Sequence, residues 1–298
     1  MGNAGTVDPR HAAAASEWGV DRLDVGAYLA RIGYDGEPAV TAAVLRDLHR
    51  AHAAAIPFEN LDIVLGKGVD LDIDRLQAKM IRRARGGYCF EHNLLFAALL
   101  ERIGFRVTRY VGRVRMGSDQ VRPRSHMMLR VDVDDRSWLA DVGFGGEGLL
   151  EPVAFDDPAP SRQGAWVYRL VTSDGGLRIL QSRHGDGWFD LYAFAEEPQH
   201  DVDYVSYNWF TSTHPTSPFT RGVVVQRTGD AVRWSLTHTE LKTVGADGSA
   251  DRRNVSPDDM PNVLRTVFGI VLDADERTRL RSVRNVTAER PQLRGSQS

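Results

Sequence analysis

The hydrophobic pattern changes period near Gly104, from a helix-forming stretch to a mainly sheet-forming one. Residues 38 to 100 read as helical. Pro38 suits a helix start, and Val40, Val44 and Leu48 recur at four-residue spacing until Pro57 stops the pattern. A second helix is expected from Asp74 to Arg85. Its Leu76 and Met80 continue the apolar face set by Ile73, and Gly86-Gly87 would supply the left-handed positions that end it. Cys89 then opens a third helix, Phe90 to Ile103, so rich in Leu, Ala and Phe that burial on most sides follows, and Gly104 closes it.

From Val107 the chain turns to short alternating runs, Met127 to Val133, Trp138 to Val142, Trp166 to Leu170, Leu177 to Leu180 and Trp188 to Phe194. Turn clusters such as Asp174-Gly175-Gly176 separate them. Residues 222 to 243 predict a further hairpin around Thr228-Gly229-Asp230. A helix should start at Ser256-Pro257, where a capping serine precedes a proline, and end at Phe268-Gly269. The tail from Asn285 is polar and reads as unstructured.

Composition narrows the class. A single cysteine in 298 residues excludes an intramolecular disulfide and a cysteine-rich metal site, so a reducing compartment, the cytoplasm, and no metal are expected. No apolar run approaches the roughly 18 residues of a membrane span, so no membrane partner is expected. Met1 to Thr6 fits the loose myristoylation pattern without a second lipid signal. A net charge of -3 argues against nucleic acid. The local exception is Arg102 to Arg130, where eight arginines face one acid, Asp119. They read as solvated surface arginines or, alternatively, as a ridge meeting a phosphorylated cofactor.

Cys89 carries the chemistry. It follows a glycine break and starts a buried helix, where unpaired N–H groups would favour a thiolate. A cysteine nucleophile also needs a base oriented by a carboxylate. The runs flanking Asp134-Asp135 can form a hairpin. With a two-residue loop Val133 faces Arg136 and His126 lies diagonal to Asp141 on one face; a three-residue loop would separate them. His126 is thus expected within reach of both Cys89 and Asp141. His92, three residues past Cys89, is a rival base that reads more simply as a cap or surface residue.

The blocks Arg85-Gly86-Gly87-Tyr88-Cys89-Phe90-Glu91, Ser125-His126-Met127 and Asp141-Val142-Gly143-Phe144-Gly145 resemble, in order, the active-site blocks of the arylamine N-acetyltransferases. Ile56 to Leu61, Trp188 to Phe194 with Pro198, Asn208 to Phe219 and Phe268-Gly269-Ile270 are similar too, extending the resemblance over residues 22 to 272. It implies an α+β fold with an N-terminal helical bundle, a central β-barrel, a C-terminal α/β lid and a cysteine-protease-like core. The expected divisions are a flexible tail at 1–20, the bundle at 21–104, the barrel at 105–205, the lid at 206–284 and a polar tail at 285–298. It further implies a ping-pong reaction in which acetyl-CoA, as acyl donor, acetylates Cys89 and an arylamine or arylhydrazine then takes the acetyl group. Cys89 matches the nucleophile, His126 the base and Asp141 its orienting carboxylate. Tyr88, Phe144 and Phe210 fall at the aromatic pocket wall and cleft, and Gly143, Gly145 and Gly146 on the loop shared by acyl donor and amine. Arg85 and Glu91 match family positions as well, and are read as an ion pair bracing the nucleophile loop.

Three other readings compete. A cysteine hydrolase or transglutaminase-like enzyme would use the same triad with water or lysine as acceptor. Gly143 to Gly148 satisfies G-x-G-x-x-G, yet Leu149 to Pro152 follows where a dinucleotide site requires a helix. A non-catalytic binding protein would have no need of an intact Cys, His and Asp set.

Overall fold

The computed structural model describes residues 17–283. The myristoylation pattern at 1–6 and the polar tail at 285–298 lie outside the described residues. Helix α1 (Val25–Ile32) is capped by Asp24, whose carboxylate accepts from the Ala27 amide, and ends at Gly33 with φ 67°. Helix α2 (Ala42–Ala55) starts behind a Thr41 cap rather than at Pro38. Val40 lies outside it, 43% exposed, and the buried stripe is Leu45, Leu48, His49 and His52. The four-residue series beginning at Val40 therefore meets the buried stripe only at Leu48, with Val44 at its margin.

Pro57 opens a two-residue strand, β1 (Phe58–Glu59), which precedes α3 (Leu61–Val64). Helix α4 (Ile73–Leu76) runs into a π-helical turn, Gln77–Arg82, and stops short of the expected Arg85. The left-handed residue there is Ala84, with φ 49°, and neither Gly86 nor Gly87 has a positive φ. Those glycines serve close approach instead. A Cβ on Gly86 would lie 2.0 Å from the Pro57 carbonyl oxygen, and one on Gly87 2.8 Å from the Glu91 Cβ. Helix α5 (Cys89–Ile103) follows, buried from Cys89 to Leu100, and Gly104 at φ 112° ends it.

Strands β2 (Arg106–Val114), β3 (His126–Val133), β4 (Arg136–Ala140), β5 (Val153–Ala154), β6 (Ser161–Gln163), β7 (Trp166–Thr172), β8 (Arg178–His184) and β9 (Gly187–Phe194) form one antiparallel sheet. Its order is β5-β4-β3-β2-β9-β8-β7-β6, and β5 comes back against β7 to make a nearly closed barrel. Tyr110, Met128, Leu139, Tyr168 and Tyr192 fill its interior. The β3–β4 loop has two residues, Asp134 and Asp135, both left-handed as a tight hairpin of this kind requires.

Helix α6 (Asp201–Thr213) leads to β10 (Val224–Thr228), β11 (Val232–Thr237), β12 (Glu240–Gly245) and β13 (Ala250–Asn254). These strands make a second antiparallel sheet in the order β1-β10-β11-β12-β13, so the short N-terminal strand β1 is stitched to the C-terminal unit. Helix α7 starts at Met260 (Met260–Phe268) because Ser256 caps a turn on the Asp259 amide first. It ends, as expected, at Gly269, and α8 (Ala274–Ser282) follows. The architecture is α+β: bundle, barrel and C-terminal α/β unit. Among the described residues no helix is long and apolar enough to cross a membrane.

Two imidazoles and a phenol hold the bundle interior. Tyr28 donates to His52 Nδ1, His52 Nε2 donates to His92 Nδ1 at 2.8 Å, and His92 Nε2 donates to the Pro57 carbonyl at 3.1 Å. A carbonyl can only accept, so with neutral rings the whole proton order is fixed. His92 is therefore neither the thiol's partner nor a surface cap, being 1% exposed. Burial pushes His52 well below its ordinary value and His49 and His92 down to about 4. The unfolded chain binds these protons more readily than the folded one. Stability is thus full above about pH 6.5 and falls as pH drops toward 4, by about 3 kcal/mol for each fully shifted group. Thermal unfolding followed across that range should show a falling midpoint, and a midpoint rising toward acid would mean that the rings are charged in the fold.

Candidate active site

Cys89, His126 and Asp141 stand at the first residue of α5, the first residue of β3 and the residue after β4, and are 3%, 2% and 0% exposed. The pairing of Val133 with Arg136 is the register that sets His126 and Asp141 on one face. His126 Nε2 lies 2.7 Å from Asp141 Oδ2, which leaves Nδ1 as the ring's free nitrogen. The direct contact expected between thiol and imidazole is not among the described hydrogen bonds. The Cys89 thiol donates instead to the Ser125 carbonyl at 3.4 Å.

Asp141 is held from all sides. Its Oδ1 accepts from Asn93 Nδ2 and from the Gly143 amide, each at 3.0 Å, while its own amide donates to His49 Nε2 at 3.1 Å. Burial alone would raise this carboxyl, but His126, Asn93 and the Gly143 amide hold it below its ordinary value. Sequence reasoning missed Asn93 and Tyr192. Asn93 had a signal, a polar residue one turn past Cys89 in a helix too apolar to expose one. Tyr192 had none. Its ring lies 4.7 Å from that of His126, and its buried hydroxyl has no hydrogen-bond partner among the described residues.

The thiol does not follow the helix-start argument. Burial pushes Cys89 up to about 12, with the Asp141 and Glu91 carboxylates adding to the rise and the Met127 and Phe90 amides opposing it. A fully buried sulfur loses more from missing water than the first turn of α5 returns.

The loop after Asp141 is pressed onto Cys89. A Cβ on Gly143 would sit 2.9 Å from the Cys89 Cα, and one on Gly145, at φ 90°, 2.2 Å from Gln226 Oε1. The Gly146 amide donates to that same Gln226 oxygen at 2.9 Å, and Thr228 donates to the Gly145 and Gly146 carbonyls. The Gly146 amide is thus already used. No helix follows the G-x-G-x-x-G match, whose next regular element is β5. Phe144 stands half-buried and edge-on to His126, ring centres 4.9 Å apart, with Tyr192 at 5.1 Å. Tyr88 is fully buried, its hydroxyl on Asn208 and its ring against Phe90 and Phe219. Phe210 stacks on His214, ring centres 4.6 Å apart. Phe219, between Tyr88 and Phe58, is the ring that α6 and the turn after it bring to the nucleophile loop.

Arg85 does not pair with Glu91. Its guanidinium, 0% exposed as a residue, reaches Glu59 Oε1 at 2.8 Å, Asp62 Oδ1 at 3.2 Å and Glu276 Oε1 at 2.8 Å. Glu91 pairs with Lys79 at 2.7 Å and accepts from the Tyr88 amide at 3.0 Å. Burial works against the Lys79 ammonium, yet Glu91, Glu59 and Asp62 hold it above its ordinary value. Glu276 Oε1 also takes Lys67 and Arg83, and despite burial these donors bring it down to about 2. The arginines from 102 to 130 are largely engaged within the protein. Arg102 holds the Asp21 and Leu23 carbonyls, and Arg109, Arg115, Arg124 and Arg130 pair with Glu101, Asp190, Glu197 and Asp132.

A family model described as N-acetyltransferase matches residues 41–277. The arylamine N-acetyltransferase of Mycobacterium tuberculosis is 37% identical over 262 residues, 86% of this chain and 92% of that protein. The arylamine N-acetyltransferase / N-hydroxyarylamine O-acetyltransferase of Salmonella typhimurium is 36% identical over 249 residues, 82% of this chain and 88% of that one. The solved arylamine N-acetyltransferase of Nocardia farcinica superposes with a TM-score of 0.84 at 43% identity, covering 92% of this chain and 97% of that one. That of Mycobacterium marinum, solved in complex with CoA, gives 0.81 at 34% identity over 87% and 99%. Fold and sequence match together define an acyltransferase. The chain belongs to the arylamine N-acetyltransferase family.

The charge cluster makes a stability prediction. Removing one partner of a buried ionic group costs about 3 to 5 kcal/mol, because the others stay buried and lose compensation. Glu276→Ala, measured by denaturant unfolding, should lose about 3 kcal/mol by that reasoning. A loss under about 1 kcal/mol, the worth of an exposed pair, would mean that solvent already screens the cluster.

Proposed function

We propose that this protein transfers the acetyl group of acetyl-CoA to the nitrogen of arylamines or arylhydrazines by a ping-pong mechanism through a thioester on Cys89. The observation that carries the reading is the His126–Asp141 pair, which leaves Nδ1 unused, while the Cys89 thiol sits on the carbonyl of the neighbouring Ser125. The thiol leaves the Ser125 carbonyl and gives its proton to Nδ1, and the imidazolium is stabilised by the carboxylate across the ring. The thiolate attacks the acetyl carbonyl, and the tetrahedral oxyanion takes hydrogen bonds from backbone amides at the start of α5. CoA departs as a thiol, with the proton from His126. The amine then attacks the thioester, its proton passes to Nδ1, and collapse releases the amide while the sulfur recovers a proton. A hydrolase would use the same groups with water; the match of fold and sequence to arylamine N-acetyltransferases along most of the chain favours the amine.

Incubation with acetyl-CoA in the absence of amine should leave one acetyl group on the protein, at Cys89 by peptide mass spectrometry, and none on Cys89→Ala. Acetylation of another residue would overturn the assignment. Phe144→Ala should slow transfer to aromatic amines several-fold, the equivalent of about 0.5 to 1.5 kcal/mol of lost ring contact, while Cys89 acetylation changes less. Equal loss in both half-reactions would make Phe144 a packing support for His126.

A further inference from the structure

His49 belongs to no family block quoted above, yet it touches both ends of the loop that builds the site. It is fully buried on α2. Its Nε2 accepts from the Asp141 amide at 3.1 Å and its Nδ1 donates to the Leu150 carbonyl at 3.0 Å. One nitrogen must accept and the other must donate, so a single neutral tautomer fits. Phe96 of α5 holds the ring edge-on at 5.7 Å. Between these two attachments lie Gly143 against the Cys89 backbone and Phe144 against His126. Leu150 is fixed again from the barrel side, where its amide donates to Gln163 Oε1 at 2.8 Å.

We propose that His49 is a positioning residue for acyl transfer, its neutral imidazole tying Asp141 to Leu150 and so fixing both the carboxylate that orients His126 and the loop that carries Phe144. This rests on the triad reading above. The physical need is plain: a carboxylate that drifts by an ångström no longer sets the ring for proton transfer, and misplacement on that scale costs on the order of a hundredfold in rate. Burial keeps the ring neutral over the working pH range.

The test compares His49→Leu, which removes both hydrogen bonds, with His49→Gln, whose amide offers one acceptor and one donor. The readout is the rate constant of Cys89 acetylation by acetyl-CoA, followed by intact mass alongside the thermal midpoint. The leucine variant should be slowed by about a hundredfold with the half-saturating acetyl-CoA concentration within about twofold, and the glutamine variant should recover to within about tenfold. A leucine variant that is less stable but acetylates at nearly the native rate would overturn the proposal and leave the triad standing. Should the leucine variant fail to fold, His49→Asn replaces it, because its shorter amide cannot reach both ends. Asparagine slower than glutamine supports the proposal, and equal rates overturn it. If the native protein is not acetylated on Cys89, the triad reading falls and the positioning role with it.

Discussion

Cys89 is the first residue of a helix buried on every side, which leaves its polar neighbours no water to turn to. Glu91, His92 and Asn93 are the second to fourth residues after Cys89 and, at about 100° per residue, point in three directions. Each recruits a different part of the protein. Glu91 takes Lys79 from the π-helical turn, His92 takes Pro57 and His52, and Asn93 takes Asp141, the Met127 carbonyl and the Val142 amide. Bundle, strand β1 and barrel thus meet at one helical turn. Unsatisfied buried polar groups cost about 1 to 3 kcal/mol each, so these pairings fix geometry as well as composition.

The charge cluster at Arg85 extends the same logic to the C-terminal unit. Pairing a buried guanidinium roughly offsets its desolvation and adds little net stability, so the cluster matters for where it holds the chain. Arg85 sits four residues before Cys89. Through Glu59 it grips β1, and through Glu276 it grips α8. Because β1 is also the edge strand of the C-terminal sheet, the nucleophile loop is tied to that unit by a backbone ladder and by an ion pair at once. Gln226 and Thr228 then clamp the Gly145-Gly146 backbone from β10, the neighbour of β1.

The parts of this arrangement that were legible in the sequence are those whose cause is local. Alternation on either side of Asp134-Asp135 marks the hairpin, and with a two-residue turn it sets His126 beside Asp141. Gly104 and Gly269 stop their helices because each adopts a positive φ where the helix ends. The parts that were not legible depend on partners far along the chain. Glu59 and Glu276 lie 26 and 191 residues from Arg85, so the nearer Glu91 looked the natural mate. Gly86 and Gly87 resemble a helix stop, but their cause is the Pro57 carbonyl and the Glu91 side chain. His49 and His52 carry no periodic signal of their own, since a histidine on a buried stripe looks like a break in it.

The thiol shows why a correct local principle gave the wrong sign. The dipole at a helix start is worth about 0.3 to 1 kcal/mol, and up to about 2 in partly buried settings. The rise of Cys89 from 9.0 to about 12 corresponds to roughly 4 kcal/mol against the thiolate. Burial wins. In the proposed mechanism, ionisation of the sulfur is paired with protonation of His126, so that the new charges form an adjacent couple whose Coulomb attraction strengthens in the same low-dielectric space that penalises either alone. Asp141 is the member that must already be charged for this to work. Its three donors keep it so: Asn93, the Gly143 amide and His126 hold the carboxylate ionised before the proton moves.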